Sequence, residues 1–157
     1  MGSMDDIELL MDFFGDKEIA RQETEYFFET GGELFLAFSG NELAGVARLR
    51  HYPGVFKLGH PERDPYIEIK KDEVFYGHCE TSIKYRRNNI FTVLAQYMLD
   101  YSFAIGKKRG FATASPKQKA TIRMLEKLGA IFICQKKIFR IFGIKFNYKW
   151  STADLHE

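Results

Sequence analysis

The sequence predicts an α/β (α+β) fold in which strands alternate with helices around one core. Three observations carry this expectation. Between residues 89 and 105, Ile90, Val93, Leu94, Tyr97, Met98, Tyr101 and Ile105 line one face at helical spacing. Short apolar runs such as residues 33–38 (ELFLAF) are bounded by Gly, Asn or Ser and read as strands. At 157 residues, 45% apolar and 15% aromatic, the chain suits a single domain and excludes a disordered one. We therefore expect one domain over residues 4–157, with Met1-Gly2-Ser3 an expression remnant.

Residues 5–29 read as helix, broken at Phe14-Gly15-Asp16. Ile7, Leu10, Met11 and Phe14 keep helical spacing before the break, and Ile19, Tyr26 and Phe27 share a face after it. Gly31-Gly32 ends the helical region. Residues 33–38 form the first strand, Ser39-Gly40-Asn41-Glu42 a turn, and residues 43–50 (LAGVARLR) the return strand of a hairpin. Residues 51–72 hold three of the four prolines and read as a loop, with a short strand at 66–69. Residues 73–83 (EVFYGHCETSI) form the next strand and 89–105 the clearest helix, bracketed by Gly106 and Gly110. A short strand follows at 111–114.

Ser115-Pro116-Lys117-Gln118 reads as a helix start, with Ser at the N-cap, Pro at the first helical position and Gln completing a capping box. That helix runs to Leu128, where Gly129 closes it. Residues 131–141 and 144–151 read as two strands joined at Phe142-Gly143.

Charge narrows the function classes. The net charge is only +2, but residues 1–83 carry 17 acidic and 8 basic side chains, while residues 84–140 carry 13 basic and 2 acidic ones. The basic part points to an anionic partner, either nucleotide cofactor, acidic protein or nucleic acid, or else to a solvated surface neutralised by the acidic part. No apolar run reaches the 18 or so residues of a membrane span, and no secretory signal is present, so a reduced cytoplasmic setting is expected. Cys79 and Cys134 are too few for a disulfide framework or a zinc site. His51 and His60 with Glu62 and Asp64 match no metal-ligand spacing, so no metal is expected. Basic and aromatic residues interleave at 136–142, but alternation across a terminal hairpin explains them as core, which makes nucleic acid an unlikely partner.

The order of elements and certain residues resemble the GNAT superfamily of N-acetyltransferases. Leu43-Ala44-Gly45-Val46-Ala47-Arg48-Leu49 is similar to its third strand. Tyr85-Arg86-Arg87-Asn88-Asn89-Ile90-Phe91, followed by Leu94, resembles its acyl-CoA-binding motif, an Arg-x-x-Gly-x-Gly loop before a long helix. Ile122-Arg123-Met124-Leu125-Glu126-Lys127-Leu128-Gly129-Ala130 resembles its last motif. The resemblance spans residues 17–150 and implies a mixed, mostly antiparallel central sheet flanked by helices, with acetyl-CoA or another acyl-CoA as donor and a small-molecule or protein amine as acceptor. It departs from the family where the two loop glycines fall on Asn89 and Phe91, where the thiolate-protonating Tyr falls on Leu125, and where the helix-start Asn falls on Gln118. The family's first strand is replaced by helix.

Physical chemistry points to the same loop. A helix start exposes unpaired N–H groups and the positive end of the dipole, and so favours phosphate. The expected donor-binding residues are Thr81, Ile83, Arg86, Arg87, Asn88, Asn89, Ile90, Phe91 and Gln118, with Lys84, Lys107, Lys108, Arg109, Lys117 and Lys119 as further cations. Acyl transfer to an amine needs a base, and Glu80 is the candidate, sharing a strand face with His78 and Ser82. The competing reading of Glu80 is an ion pair with Arg48 or Arg50. Tyr76 or Tyr97 stands in for the missing acid, and Cys79 reads as a small apolar residue. Residues 51–72 are expected to shape the acceptor site. Two alternatives accompany this reading. One is an acyl-homoserine-lactone or N-acyl-amino-acid synthase type of enzyme using acyl carrier protein (ACP), faintly marked by Glu80-x-Ser82. The other is a GNAT-fold binding module without catalysis, marked by Phe91 and Leu125.

Overall fold

The structure, a computed structural model, describes residues 7–13, 17–57, 66–141 and 144–151. Residues 1–3, expected to be an expression remnant, the expected helix break at Phe14-Gly15-Asp16, the residues His60, Glu62 and Asp64, and the expected junction at Phe142-Gly143 lie outside the described residues. The chain divides into two compact units, Met1–Ala114 and Ser115–Glu157.

The first unit contains α1 (Ile7–Phe13), α2 (Lys17–Glu29), β1 (Glu33–Ser39), β2 (Glu42–Arg50), β3 (Gly54–Lys57), β4 (Tyr66–Ile69) and β5 (Glu73–Thr81). A 3-10 turn (Ile83–Tyr85), α3 (Ile90–Ala104) and β6 (Arg109–Ala112) complete it. Its central sheet has the order β1-β2-β5-β6, antiparallel except for the parallel β5–β6 pair. This is the mixed, mostly antiparallel sheet that the resemblance implies.

Strand alternation assigns each sheet face its helices. Leu34 and Val46 pack on one face with Ile7, Leu10 and Met11 of α1 and Phe27 of α2. Phe35, Ala47, Leu49 and Val74 pack on the other with Leu94 and Met98 of α3. Gly45 seats α3 against β2, since a Cβ there would lie 2.8 Å from Ile90 Cγ2 and 3.1 Å from Leu94 Cδ1. Two arginines interrupt the buried run of β2, and both are partnered, as burial requires. Arg48 donates to Thr24 Oγ1 at 3.0 Å and pairs with Glu23 at 3.6 Å. Arg50 donates to Thr30 Oγ1 and lies over the Phe27 and Phe56 rings at 4.6 and 4.8 Å.

Several boundaries differ from the sequence reading. The strand expected over 73–83 ends at Thr81, because Tyr85 N–H turns back to Ser82 O at 2.9 Å. Residues 51–72 hold an additional strand, β3, paired antiparallel with β4 from Gly54↔Ile69 to Lys57↔Tyr66. Four residues give too short a pattern to show period two, and β3 is held by Phe56, which packs with Ile69 and Phe75.

In the second unit, α4 spans Lys119–Lys127 and starts later than Ser115 predicts. Gln118 N–H donates to Ser115 O at 2.8 Å, and Gln118 Oε1 accepts from Ser115 N–H at 2.9 Å. These bonds close a turn of their own before the helix begins. The helix ends at Gly129 as expected, with φ +86° and Ala130 N–H bonded to Leu125 O at 3.0 Å. Strand β7 (Cys134–Ile141) begins three residues later than expected and pairs antiparallel with β8 (Ile144–Ser151). Among the described residues, no helix is long and apolar enough to cross a membrane.

Candidate active site

Strand β5 is sandwiched only over its first half. Its pairing with β6 runs from Glu73↔Arg109 to Tyr76↔Ala112 and stops there, whereas its pairing with β2 continues to Gly45↔Thr81. Between Leu49↔Tyr76 and Ala47↔Cys79 the register slips, leaving one extra residue in β5 opposite Arg48. A bulge of this kind bends a strand and increases its twist. The segment beyond it, residues 77–81, thus presents an outer edge whose N–H and C=O groups lack a β6 partner.

That segment carries His78 and Glu80. Their side chains meet, with His78 Nε2 3.1 Å from Glu80 Oε2, and both are partly exposed. Glu80 pairs in register with Val46, whose side chain packs toward α1 and α2, so the two residues stand on that face of the sheet. The competing arginines are engaged elsewhere, Arg48 with Thr24 and Glu23, Arg50 with Thr30. Burial lowers the Arg48 pKa, and the charges of Glu23 and Glu80 oppose that shift. Cys79 faces the α3 side, its thiol directed to Gly77 O at 3.6 Å. Burial pushes that thiol up to about 12, so it stays protonated at neutral pH and is no nucleophile.

From Thr81 the chain enters the loop at the start of α3. Ser82 N–H donates to Ala44 O at 3.0 Å, which keeps the exit of β5 beside β2. Ile83, Arg86, Arg87, Asn88 and Asn89 are exposed, while Thr81, Ile90 and Phe91 are half-buried. Arg86 Nε donates to Thr81 O at 3.3 Å. Arg87 and Asn89 adopt left-handed backbone, φ +70° and +59°. For Asn this is a tolerated conformation, but for Arg it is strained by about 1–2 kcal/mol. The first α3 bond runs from Val93 N–H to Asn89 O at 3.0 Å, and the Asn89 side chain makes no capping bond. The N–H groups of Ile90, Phe91 and Thr92 therefore stand at the positive end of a 15-residue helix.

Thr81, Ile83 and residues 86–91 are thus brought together in one stretch, adjoining Glu80 and His78. Gln118 lies in the second unit, as the N-cap of α4, with its side chain on Ser115. Several expected phosphate cations are committed elsewhere. Lys84 is held by Glu42 at 2.5 Å. Lys107 donates to His51 O and Lys71 O, beyond the opposite end of α3, about 22 Å of helix from the loop. Arg109 pairs with Glu73 at 3.1 Å at that same far end. Tyr76 is no stand-in acid: it is half-buried and hydrogen-bonded to Ser102, twelve residues or about 18 Å along α3 from Ile90. Tyr97 lies two turns into α3, its ring edge-on to Phe35 at 5.8 Å. The described part of 51–72 packs through Phe56 and Ile69 against Phe75, five residues or about 16 Å along β5 from Glu80.

Sequence reasoning missed Glu42, which accepts from both Lys84 and Tyr85; a Glu in a hairpin turn carries no periodic signal. Chemically, the first unit brings together the free N–H groups of a helix start with two exposed arginines, and a carboxylate–imidazole pair on the strand that leads into them.

A sequence model of the acetyltransferase (GNAT) family matches residues 5–130. No curated protein matches the sequence. Among solved structures, the chain is similar to smu.2055 from Streptococcus mutans UA159, at 17% identity and TM-score 0.65 over 96% of each chain. It is similar to the ribosomal-protein-S18-alanine N-acetyltransferase from Escherichia coli, at 13% identity and TM-score 0.62 over 90% of this chain and 79% of that one. A third is AAC(6')-Iy in complex with the bisubstrate analogue CoA-S-monomethyl-acetylneamine, at 14% identity and TM-score 0.61 over 88% and 92%. At these identities the structural likeness is one of fold.

Proposed function

Because the chain belongs to the acetyltransferase (GNAT) family, we propose that it moves an acetyl or other acyl group from acyl-CoA directly to an amine. The proposal takes residues 4–157 as one cytoplasmic acyltransferase domain. The observation that carries it is the continuity of the site: the half of β5 that bears Glu80 and has left the β6 ladder leads straight into the left-handed loop at the start of α3.

The donor set of that loop fits a pyrophosphate. Arg86 and Arg87 supply cations, and the N–H groups of residues 88–92 supply aimed donors that need no side-chain charge. Thr81 and Ile83 flank the entry to the loop, and the half-buried Phe91 and Ile90 begin the helix. Bound there, acyl-CoA supplies an activated thioester. Glu80, held by His78, removes a proton from the acceptor ammonium so that the nitrogen can attack the acyl carbon. The outer edge of 77–81 offers N–H groups to the oxyanion that forms. Leu125 supplies no acid, so water protonates the departing thiolate. One similar structure is that of a ribosomal-protein-S18-alanine N-acetyltransferase, and another holds a CoA bisubstrate analogue, which supports a protein or small-molecule amine as acceptor and CoA as carrier.

Thermal shift of the purified protein against CoA, acetyl-CoA, longer acyl-CoAs and acyl-ACP tests this reading. A donor at about a hundred times its Kd adds about 2.7 kcal/mol, raising Tm by about 5–10 °C. A shift with acyl-CoA, followed by CoA release on mixing with amines, is the expected result. A shift with acyl-ACP alone transfers the assignment to that donor, and binding without turnover to a non-catalytic module.

A further inference from the structure

We propose that Glu42, the first residue of β2, is a positioning residue that holds the donor loop in its anion-binding shape. This rests on the donor reading above. Lys84 Nζ and Tyr85 OH both lie 2.5 Å from the same oxygen, Glu42 Oε2, and the Lys84 ammonium also lies over the Tyr85 ring at 5.1 Å. The three side chains thus close a cluster between two segments 42 residues apart in sequence. The cluster fixes the 3-10 turn immediately before the loop, and Ile90, seated at Gly45, fixes the chain immediately after it.

Between these anchors lie only residues 86–89, two of them left-handed. Arg87 would relax toward an unstrained conformation if either anchor were released. The Lys84 and Tyr85 hydrogen bonds also keep the Glu42 carboxyl below the usual carboxylate range, so it accepts both bonds as a carboxylate at neutral pH.

The proposal makes a prediction opposite in sign to that of simple electrostatics. A carboxylate beside a phosphate site repels the ligand, so removing it should tighten binding if charge were its only effect. Removal of an anchor should weaken binding, because the loop must then be ordered by the ligand.

Calorimetric titration with CoA would compare the parent, Glu42→Ala, Glu42→Gln and Arg86→Ala, with amide exchange measured over 83–90 in the ligand-free proteins. Glu42→Ala should weaken CoA about three- to tenfold, the worth of two exposed charge-assisted bonds, and speed exchange at 83–89 with little change in Tm. Glu42→Gln, which keeps an oxygen for Tyr85, should fall between the parent and Glu42→Ala. Tighter or unchanged CoA binding in Glu42→Ala overturns the proposal while Arg86→Ala still weakens it, leaving the donor reading intact. If the parent itself fails to bind CoA, the donor reading falls and takes this role of Glu42 with it. Should Glu42→Ala not fold, Tyr85→Phe removes one arm of the clamp with no change of charge and must also weaken CoA binding and speed exchange over 83–89; unchanged binding there overturns the proposal.

Discussion

Glu80 and His78 stand on the part of β5 that has left the β6 ladder, so their polar ends need no burial and can meet a substrate. Glu80→Gln keeps shape and one hydrogen-bonding oxygen but cannot take a proton. It should lower kcat by about 10²–10⁴-fold with CoA affinity and Tm retained. Steady-state kinetics beside a melting curve checks this, and parallel loss of stability and rate would instead make Glu80 a structural counter-charge for Arg48. The pair was legible in the sequence because two residues at i and i+2 share a strand face. The bulge was not, since only Gly77 hints at it: a Cβ there would meet Arg48 Cβ at 3.2 Å and its carbonyl oxygen at 3.3 Å. Glu42 was illegible for a different reason, as its partners lie 42 and 43 residues away and only the pairing of β2 with β5 brings them together.

At the level of elements, α3 was readable from the helical spacing of its apolar residues, but the face it buries is Leu94, Ala95, Met98 and Ser102, while the expected Val93 and Tyr97 are exposed. Its start was readable because Asn tolerates the left-handed conformation that the family fills with glycine. What the pattern could not give was the order of the turn before it, which depends on Lys84, Tyr85 and Glu42 meeting. It also could not give the later start of α4, which depends on side-chain to backbone bonds within residues 115–118. Phe91 is the loop's largest departure from the family. It is half-buried in the first turn of α3, the turn whose N–H groups the donor would use. Phe91→Gly should tighten CoA by opening that approach, while lowering Tm through an added helix glycine worth about 1 kcal/mol. Titration and melting together decide it: lowered Tm with unchanged affinity would assign the ring to the core.

Over the whole molecule, the charge asymmetry visible in the sequence is smaller in effect than its count implies. In the first unit, Lys84 is answered by Glu42, Lys107 by two carbonyls and Arg109 by Asp72 and Glu73. Arg86 and Arg87 remain exposed at the start of α3, where two cations and a helix dipole suit one compact anion better than an extended acidic face. This separates the two donor classes by salt. CoA held by this loop should lose affinity only about three- to tenfold between about 0.05 and about 0.5 M salt, because few exposed contacts are screened. Arg86→Ala should weaken it and flatten that dependence. An acidic carrier protein steered by a broad basic surface should instead associate far more slowly over the same range, by well over tenfold. Rates of acyl transfer from acetyl-CoA and from acyl-ACP, each measured across that salt series, would decide between them. A shallow series for CoA that Arg86→Ala flattens further places recognition in the α3 loop. A steep series for acyl-ACP, indifferent to Arg86, would move it to a surface that the charge count marks and the described ion pairs leave unassigned.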